Sequence, residues 1–140
     1  MIDDDKLQKS LKHLEQQFEN YKSAHTRPEL TELDREALAE SVIHRFETAY
    51  DMLWKHLKRY IIEELGLVEV PNSPKPVFRL AAENHLLPSP PEQWLQYADA
   101  RIGTVHDYCG EKASDCLEMI PAFLDNVISL YRTITRTSWE

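Results

Sequence analysis

Arg101, His106 and Tyr108 place three reactive side-chain types within eight residues of the chain. An arginine can hold a phosphate through two parallel hydrogen bonds and stabilise the negative charge that grows during phosphoryl transfer. A histidine can take a proton from the 2′-hydroxyl of RNA. A tyrosine hydroxyl can position a group or accept one. The segment therefore has the residue types needed to cleave or modify a phosphodiester.

The same segment has a second interpretation as a helix end. In that case Arg101 pairs with an acidic side chain, and His106 lies near the last carbonyl groups of the helix, which carry partial negative charge. Gly103 lies between them and weakens a helix, so the backbone can deviate there. The residue chemistry alone favours this second interpretation, because many folds contain such clusters without any catalysis.

Other candidate sites lack partners at the spacing that their chemistry needs. Asp3–Asp5 could hold a metal, but acidic residues ahead of a helix more often complement its dipole. The run from His44 to Tyr60 mixes basic and aromatic residues as a nucleic-acid surface would. The simpler interpretation is that Trp54 and Tyr60 flank the core while the charges face solvent. A glycine-rich phosphate loop is absent from the sequence, and so is a Gly-Ser followed by an Asp-x-Asp, which would mark a nucleotidyltransferase. We therefore expect no metal or cofactor on this chain.

The two cysteines, Cys109 and Cys116, are seven residues apart. This spacing fits neither a redox pair nor a zinc knuckle. Two turns of helix would separate them by about 10 Å, which is too far for a disulfide. We expect buried or half-buried thiols.

Composition favours a helical protein in the cytoplasm. Three glycines among 140 residues leave few turn residues for a fold of many short strands. The formal net charge of −8 argues against a surface that coats nucleic acid, although a local basic patch remains compatible with it. No apolar run approaches the roughly 20 residues of a membrane span, and the acidic N-terminus is unlike a signal peptide.

Apolar residues at alternating three- and four-residue intervals predict helices. The first helix ends at His25–Pro28, since the residue before a proline is excluded from the helical conformation. The longest runs from about residue 33 to 65, begins at a capping box of Thr31 and Asp34, and ends at Gly66. Its apolar stripe consists of Leu38, Val42, Phe46, Tyr50, Leu53, Leu57, Ile61 and Leu65.

Three further helices follow a region rich in proline. The third begins at residues 73–74, and the fourth begins with Ser89 as N-cap and Pro90 as its first residue. Pro121 is expected to bend the last helix near its start. We therefore predict an all-α fold, an up-and-down bundle of four to five helices, in a single domain spanning residues 1–140.

The order Arg101, four residues, His106, one residue, Tyr108 resembles the motif of HEPN domains that pair with minimal nucleotidyltransferases. The wider chain is similar to the nucleotidyltransferase substrate-binding protein family. The matching stretches are Val42–Tyr60, Ser73–Leu87 and Trp94–Leu95, which with the motif cover most of the chain from 38 to 131 in the same order.

The resemblance implies a HEPN-like helical bundle, usually a homodimer, encoded beside a small nucleotidyltransferase. In toxin–antitoxin pairs such a chain is similar to a metal-independent endoribonuclease, which the nucleotidyltransferase neutralises by binding it and by adenylylating the motif tyrosine. By this resemblance Arg101 would contact the scissile phosphate of RNA, His106 would act as acid and base, and Tyr108 would accept AMP. ATP and Mg²⁺ would bind to the partner. Many HEPN chains have Asn after the arginine, where this chain has Ile102, so one possible phosphate contact is missing.

Two other functions stay open from the sequence. One is a non-catalytic subunit that binds a substrate or docks the nucleotidyltransferase, which the net charge of −8 favours. The other is an unrelated helical interaction protein. The intact set of Arg101, His106 and Tyr108 favours the ribonuclease. Because each chain supplies one such Arg and one such His, both are expected near a two-fold dimer interface.

Overall fold

The computed structural model describes residues 4–104, 110–136 and 139. Within these ranges the chain forms five α-helices and one 3₁₀ turn, without a strand. The helices are α1 (Asp5–Ser23), α2 (Glu32–Glu63), α3 (Pro74–Glu83), α4 (Pro91–Gly103) and α5 (Glu111–Thr135). The predicted all-α helical bundle is confirmed. No helix in the described ranges has both the length and the apolar character that crossing a membrane requires.

The longest helix, α2, begins where its capping signal predicts. The backbone N–H of Asp34 donates to Thr31 Oγ1 at 3.0 Å, and the N–H of Thr31 donates to Asp34 Oδ2 at 2.9 Å. These hydrogen bonds lower the pKa of the Asp34 carboxyl. Beyond the other end, Gly66 takes a positive φ of 72°, which lets the chain reverse after the helix.

The fourth helix begins one residue later than the sequence predicts. Pro90 is the N-cap and Pro91 the first helical residue, so the prediction of Ser89 as N-cap is wrong. Pro90 precedes another proline, which excludes it from the helical conformation, and its ψ is accordingly 147°. The Ser89 hydroxyl is buried without a hydrogen-bond partner among the described residues.

A cluster of aromatic rings at the centre of the core fixes α4 against its neighbours. Successive ring centroids lie 5.0–6.0 Å apart, mostly in tilted or edge-to-face arrangements. The rings belong to Phe46, Tyr50, Phe78, Trp94, Tyr97 and Phe123. Since Trp94 and Tyr97 are fully buried in α4, the cluster determines where the last turn of this helix meets α2.

Candidate functional site

Arg101 lies in the last turn of α4, and its guanidinium faces two carboxylates of α2. Its Nε and Nη2 donate to the two carboxylate oxygens of Asp51 at 3.2 and 3.0 Å, and its Nη1 donates to Glu47 Oε2 at 3.4 Å. Glu47 and Asp51 are four residues apart and so share one face of α2. The two bonds to Asp51 use the fork geometry that guanidinium and carboxylate groups share. Arg101 thus has the acidic partner that the helix-end interpretation expects.

Glu47 is the buried member of this network. Its side chain is only 10% exposed, and its Oε2 accepts a hydrogen bond of 2.9 Å from the hydroxyl of the fully buried Thr104. His44 Nδ1 lies 4.0 Å from the other carboxylate oxygen. A buried carboxylate is costly unless it is paired and hydrogen-bonded. The contacts from Arg101 and Thr104 therefore both stabilise Glu47 and fasten the end of α4 to α2.

Thr104→Val should lower the free energy of unfolding by about 1–3 kcal/mol, because the buried Glu47 carboxylate loses a hydrogen-bond donor while the side-chain shape is kept. Urea denaturation followed by circular dichroism would measure the loss. The matched control is Thr133→Val, since within the described ranges the exposed Thr133 hydroxyl bonds only to the carbonyl of Ser129 in its own helix. Equal stability changes in the two variants would show that Thr104 does not support Glu47.

Arg101 also borders a cleft of about 620 Å³ between α2, α3 and α4. The Tyr50 hydroxyl lies in its wall, buried and without a hydrogen-bond partner among the described residues. Burial raises the pKa of Tyr50, so the phenol stays protonated and can donate. Arg79 is exposed on the cleft, with no carboxylate paired to it in the described ranges, whereas Lys75 pairs with Asp99 at 2.7 Å. The cleft wall thus combines apolar side chains with the Tyr50 hydroxyl, the Arg79 cation and the Asp51 carboxylate.

Ile102 and Gly103 follow Arg101 at the edge of this site. Ile102 is 64% exposed and lines the cleft, so an apolar side chain stands at the surface beside the guanidinium. Gly103 is the last residue of α4 and does not take a positive φ, so its backbone stays helical to the end.

The segment Val105–Cys109 lies outside the described residues, and His106, Tyr108 and Cys109 lie outside with it. The predicted roles of His106 and Tyr108 therefore stay predictions. Cys116 is a buried thiol, as expected. Burial, with a smaller contribution from the negative charge of Glu47, raises its pKa to about 12, so it stays protonated at neutral pH.

Sequence reasoning did not single out Glu47 and Asp51. Each directly follows a residue of the buried apolar stripe, Phe46 and Tyr50 respectively, and their four-residue spacing places both beside the core. That position was a usable signal, because an acidic residue on the flank of a buried face needs a cationic partner. Identifying that partner as Arg101 requires the packing of α4 on α2.

One expectation about charged residues needs correction. His56 is not a solvent-facing charge, since its side chain is 8% exposed and its Nε2 lies 2.8 Å from Asp4 Oδ1. Asp4 occupies the N-cap position of α1 but makes no side-chain cap hydrogen bond among the described residues. Asp3 lies outside the described residues. In the described part of the chain, no three or more His, Cys, Asp or Glu side chains are arranged to hold a metal ion.

Comparison with known proteins finds a family model and solved structures that resemble this chain. The model of the family described as nucleotidyltransferase substrate binding protein like matches residues 3–136. The Haemophilus influenzae protein HI0074, whose structure is described as revealing the fold of a substrate binding domain of a nucleotidyltransferase, is 21% identical with a TM-score of 0.82. The match covers 95% of this chain and 99% of that one. A protein from Thermus thermophilus is 27% identical with a TM-score of 0.61, over 88% of this chain and 96% of that one. A search of curated proteins finds no match.

Proposed function

Because the chain belongs to the family of nucleotidyltransferase substrate binding protein like proteins, we propose that it is the HEPN-type partner of a minimal nucleotidyltransferase and a latent, metal-independent endoribonuclease. In this proposal it is the toxin half of a toxin–antitoxin pair. The supporting observation is the placement of Arg101, whose side chain is 26% exposed at the edge of the cleft and held in a defined orientation by Asp51. The motif positions of His106 and Tyr108 follow within the next seven residues.

The proposed reaction divides between two side chains. His106 removes the proton from an RNA 2′-hydroxyl, and the 2′-oxygen attacks the adjacent phosphorus. The bond from phosphorus to the 5′-oxygen breaks, and a protonated histidine returns a proton to that leaving oxygen. Arg101 stabilises the additional negative charge on the phosphate oxygens. The products are a 2′,3′-cyclic phosphate and a 5′-hydroxyl, and no metal ion is needed to balance the charge.

A phosphate must compete with Asp51 for the Arg101 guanidinium. The Asp51 side chain is 40% exposed and that of Arg101 is 26% exposed, so solvent screens their ion pair. Such partly exposed pairs are typically worth about 1 kcal/mol or less. An RNA phosphate, which also accepts bidentate hydrogen bonds, can therefore take the place of Asp51 at small cost. Glu47, being buried, stays in place and keeps the end of α4 in position.

The proposed partner supplies the chemistry that this chain does not. ATP and Mg²⁺ bind to the nucleotidyltransferase, which transfers AMP to the Tyr108 hydroxyl with release of pyrophosphate. We further propose that the chain forms a homodimer in which Arg101 and His106 of both copies lie near the two-fold axis, so that two active-site sets share one cleft.

A second candidate is a non-catalytic subunit that binds a substrate for the nucleotidyltransferase. The neutralisation of Arg101 by two carboxylates favours it, because a guanidinium already paired is a weaker electrophilic catalyst. The cleft of about 620 Å³, in which the Tyr50 hydroxyl has no partner among the described residues, favours it as well. The two candidates differ in whether the isolated chain cuts RNA.

We expect this chain to co-purify with the nucleotidyltransferase encoded beside it, and the isolated chain to cleave RNA equally well with and without EDTA. Adding the partner with ATP and Mg²⁺ should suppress the cleavage. Gel electrophoresis of RNA and size-exclusion chromatography of the two proteins would measure both effects. Cleavage that requires a divalent metal would contradict the mechanism. A stable complex whose HEPN-type chain never cuts RNA would support the second candidate.

A further inference from the structure

A groove of about 470 Å³ runs between α1 and α2, on a face of α2 next to the one that holds Arg101. Lys6, Lys9 and His13 line it from α1, at spacings that place them on one helix face. His44 and Arg45 line it from α2. The other described lining residues are three with hydroxyl side chains and one methionine, so no carboxylate is among the described residues that form the wall.

The lysines and the arginine of this groove have no acidic partners in the described part of the chain. Within those ranges no carboxylate pairs with Lys6, Lys9 or Arg45, and Arg45 Nη1 instead lies 3.3 Å from His13 Nδ1. The chain has 24 acidic residues against 16 Lys and Arg, so carboxylates are not scarce. Among the described residues, carboxylates pair with Lys22, Arg27, Lys75 and Arg101, so an exposed cation without such a partner is common in this chain. The groove differs because three such cations line it together, where a single anion can contact more than one of them.

We propose that this groove binds the phosphate backbone of single-stranded RNA. Lysine, arginine and hydroxyl side chains are the usual donors to phosphate oxygens. The α2 residues of the wall extend from Ser41 to Met52, about 16 Å along the helix axis, which provides contacts to more than one phosphate. Because no Phe, Tyr or Trp side chain is among the described lining residues, the groove lacks the large rings on which bases stack most strongly. The binding therefore depends on charge and is independent of sequence.

The same composition argues against an acidic protein as the occupant. The centres of protein interfaces are enriched in aromatic and other large apolar side chains. Met52 is the one large apolar residue among the described residues of this wall. Lys6 and Lys9 on one helix and Arg45 on the other instead place basic residues on both sides of the groove. A chain of phosphates can contact both sides as it runs along the groove.

His44 joins this groove to the Arg101 site. It lies in the groove wall, and its Nδ1 is 4.0 Å from Glu47, which in turn accepts a hydrogen bond from Arg101 at 3.4 Å. One RNA strand in the groove can therefore continue over α2 towards the cleft. That continuity rests on the proposed ribonuclease function, whereas binding in the groove does not.

The test measures binding of the full-length chain to a fluorescein-labelled oligouridylate by fluorescence anisotropy at several salt concentrations. Lys9→Gln/Arg45→Gln removes two exposed cations of the groove. We expect at least about tenfold weaker binding and a log–log salt slope smaller by about 1.4, since each contact to a single strand contributes about 0.7. The matched control, Lys22→Gln/Arg132→Gln, changes the net charge equally at exposed positions outside the groove and should bind like the wild type.

Three alternative outcomes overturn the proposal. Equal losses of affinity in the two double variants would mean that RNA binding depends only on the overall charge of the chain. If the wild-type chain does not bind oligouridylate, single-stranded RNA is not the ligand of the groove. Normal RNA binding by Lys9→Gln/Arg45→Gln, with loss of the complex with the nucleotidyltransferase, would assign the groove to an acidic protein surface. If RNA binding is lost only in Lys9→Gln/Arg45→Gln and the wild-type chain never cuts RNA, the proposed RNA-binding groove is supported. The proposed ribonuclease function is then contradicted.

Discussion

Replacing Arg101 with alanine is expected to slow RNA cleavage by a factor of about 10²–10³, and replacing His106 with alanine by about 10²–10⁴. Either loss is expected to bring RNA cleavage by the proposed ribonuclease below detection. Arg101→Ala removes the guanidinium that balances charge on the attacked phosphate. His106→Ala removes the group that accepts and returns the proton. The measurement is single-turnover cleavage of a labelled RNA by the isolated chain, with circular dichroism to verify the helical fold.

Arg101→Ala also deprives the buried Glu47 carboxylate of a cationic partner, so a second variant separates catalysis from stability. Arg101→Lys keeps a positive charge near Glu47 but lacks the planar fork, and it should fold normally while cleaving much more slowly than the wild type. Arg132→Ala, at an exposed position of α5, is the matched arginine control and should retain full activity. Full activity in Arg101→Lys and Arg101→Ala would assign this residue a purely structural role beside Asp51.

Tyr108→Phe is expected to abolish AMP transfer by the nucleotidyltransferase while sparing most of the RNA cleavage. The substitution removes one hydroxyl oxygen, which is the atom that would attack the α-phosphate of ATP, and it leaves the aromatic ring in place. Arg101 and His106, which carry the proposed cleavage, are unchanged. The variant should therefore resist enzymatic neutralisation and respond only to neutralisation by binding.

Intact-mass spectrometry after incubation with the partner, ATP and Mg²⁺ would detect the added AMP. Tyr21→Phe, which removes the same hydroxyl from a half-buried tyrosine of α1, is the matched control and should gain the AMP mass like the wild type. A mass gain that persists in Tyr108→Phe would exclude this tyrosine as the acceptor. If the wild-type chain also failed to cut RNA, the non-catalytic substrate-binding function would take the place of the ribonuclease.

The helix α2 contributes to each of the three sites found among the described residues, namely the Arg101 network, the cleft and the basic groove. On one face of α2, Glu47 and Asp51 accept hydrogen bonds from Arg101. The Tyr50 hydroxyl lies in the wall of the cleft. On a further face, His44 and Arg45 line the basic groove. A helix of 32 residues can do this because its buried stripe occupies only part of its circumference. Changes in α2 should therefore be tested for effects on all three features.

Local sequence signals determined the helices of this protein. These signals are the capping box of Thr31 and Asp34, the three- and four-residue periodicity of the apolar stripes and the turn at Gly66. Each acts within a few residues, so each can be recognised from the sequence alone. The start of α4 was misplaced by one residue because two local rules compete there. The capping preference of Ser89 was outweighed by the exclusion of Pro90 from the helical conformation before Pro91.

The motif spacing of Arg101, His106 and Tyr108 was also visible in the sequence, but the environment of Arg101 was not. Its partners Asp51 and Glu47 lie 50 and 54 positions away, and the two sides of the basic groove come from different helices, with Arg45 32 positions from His13. Periodicity identifies which face of a helix is polar without specifying which other helix that face meets. Only the packing of α1 and α4 against α2 brings these side chains within hydrogen-bonding distance, because contacts between helices depend on how all the apolar stripes are buried together.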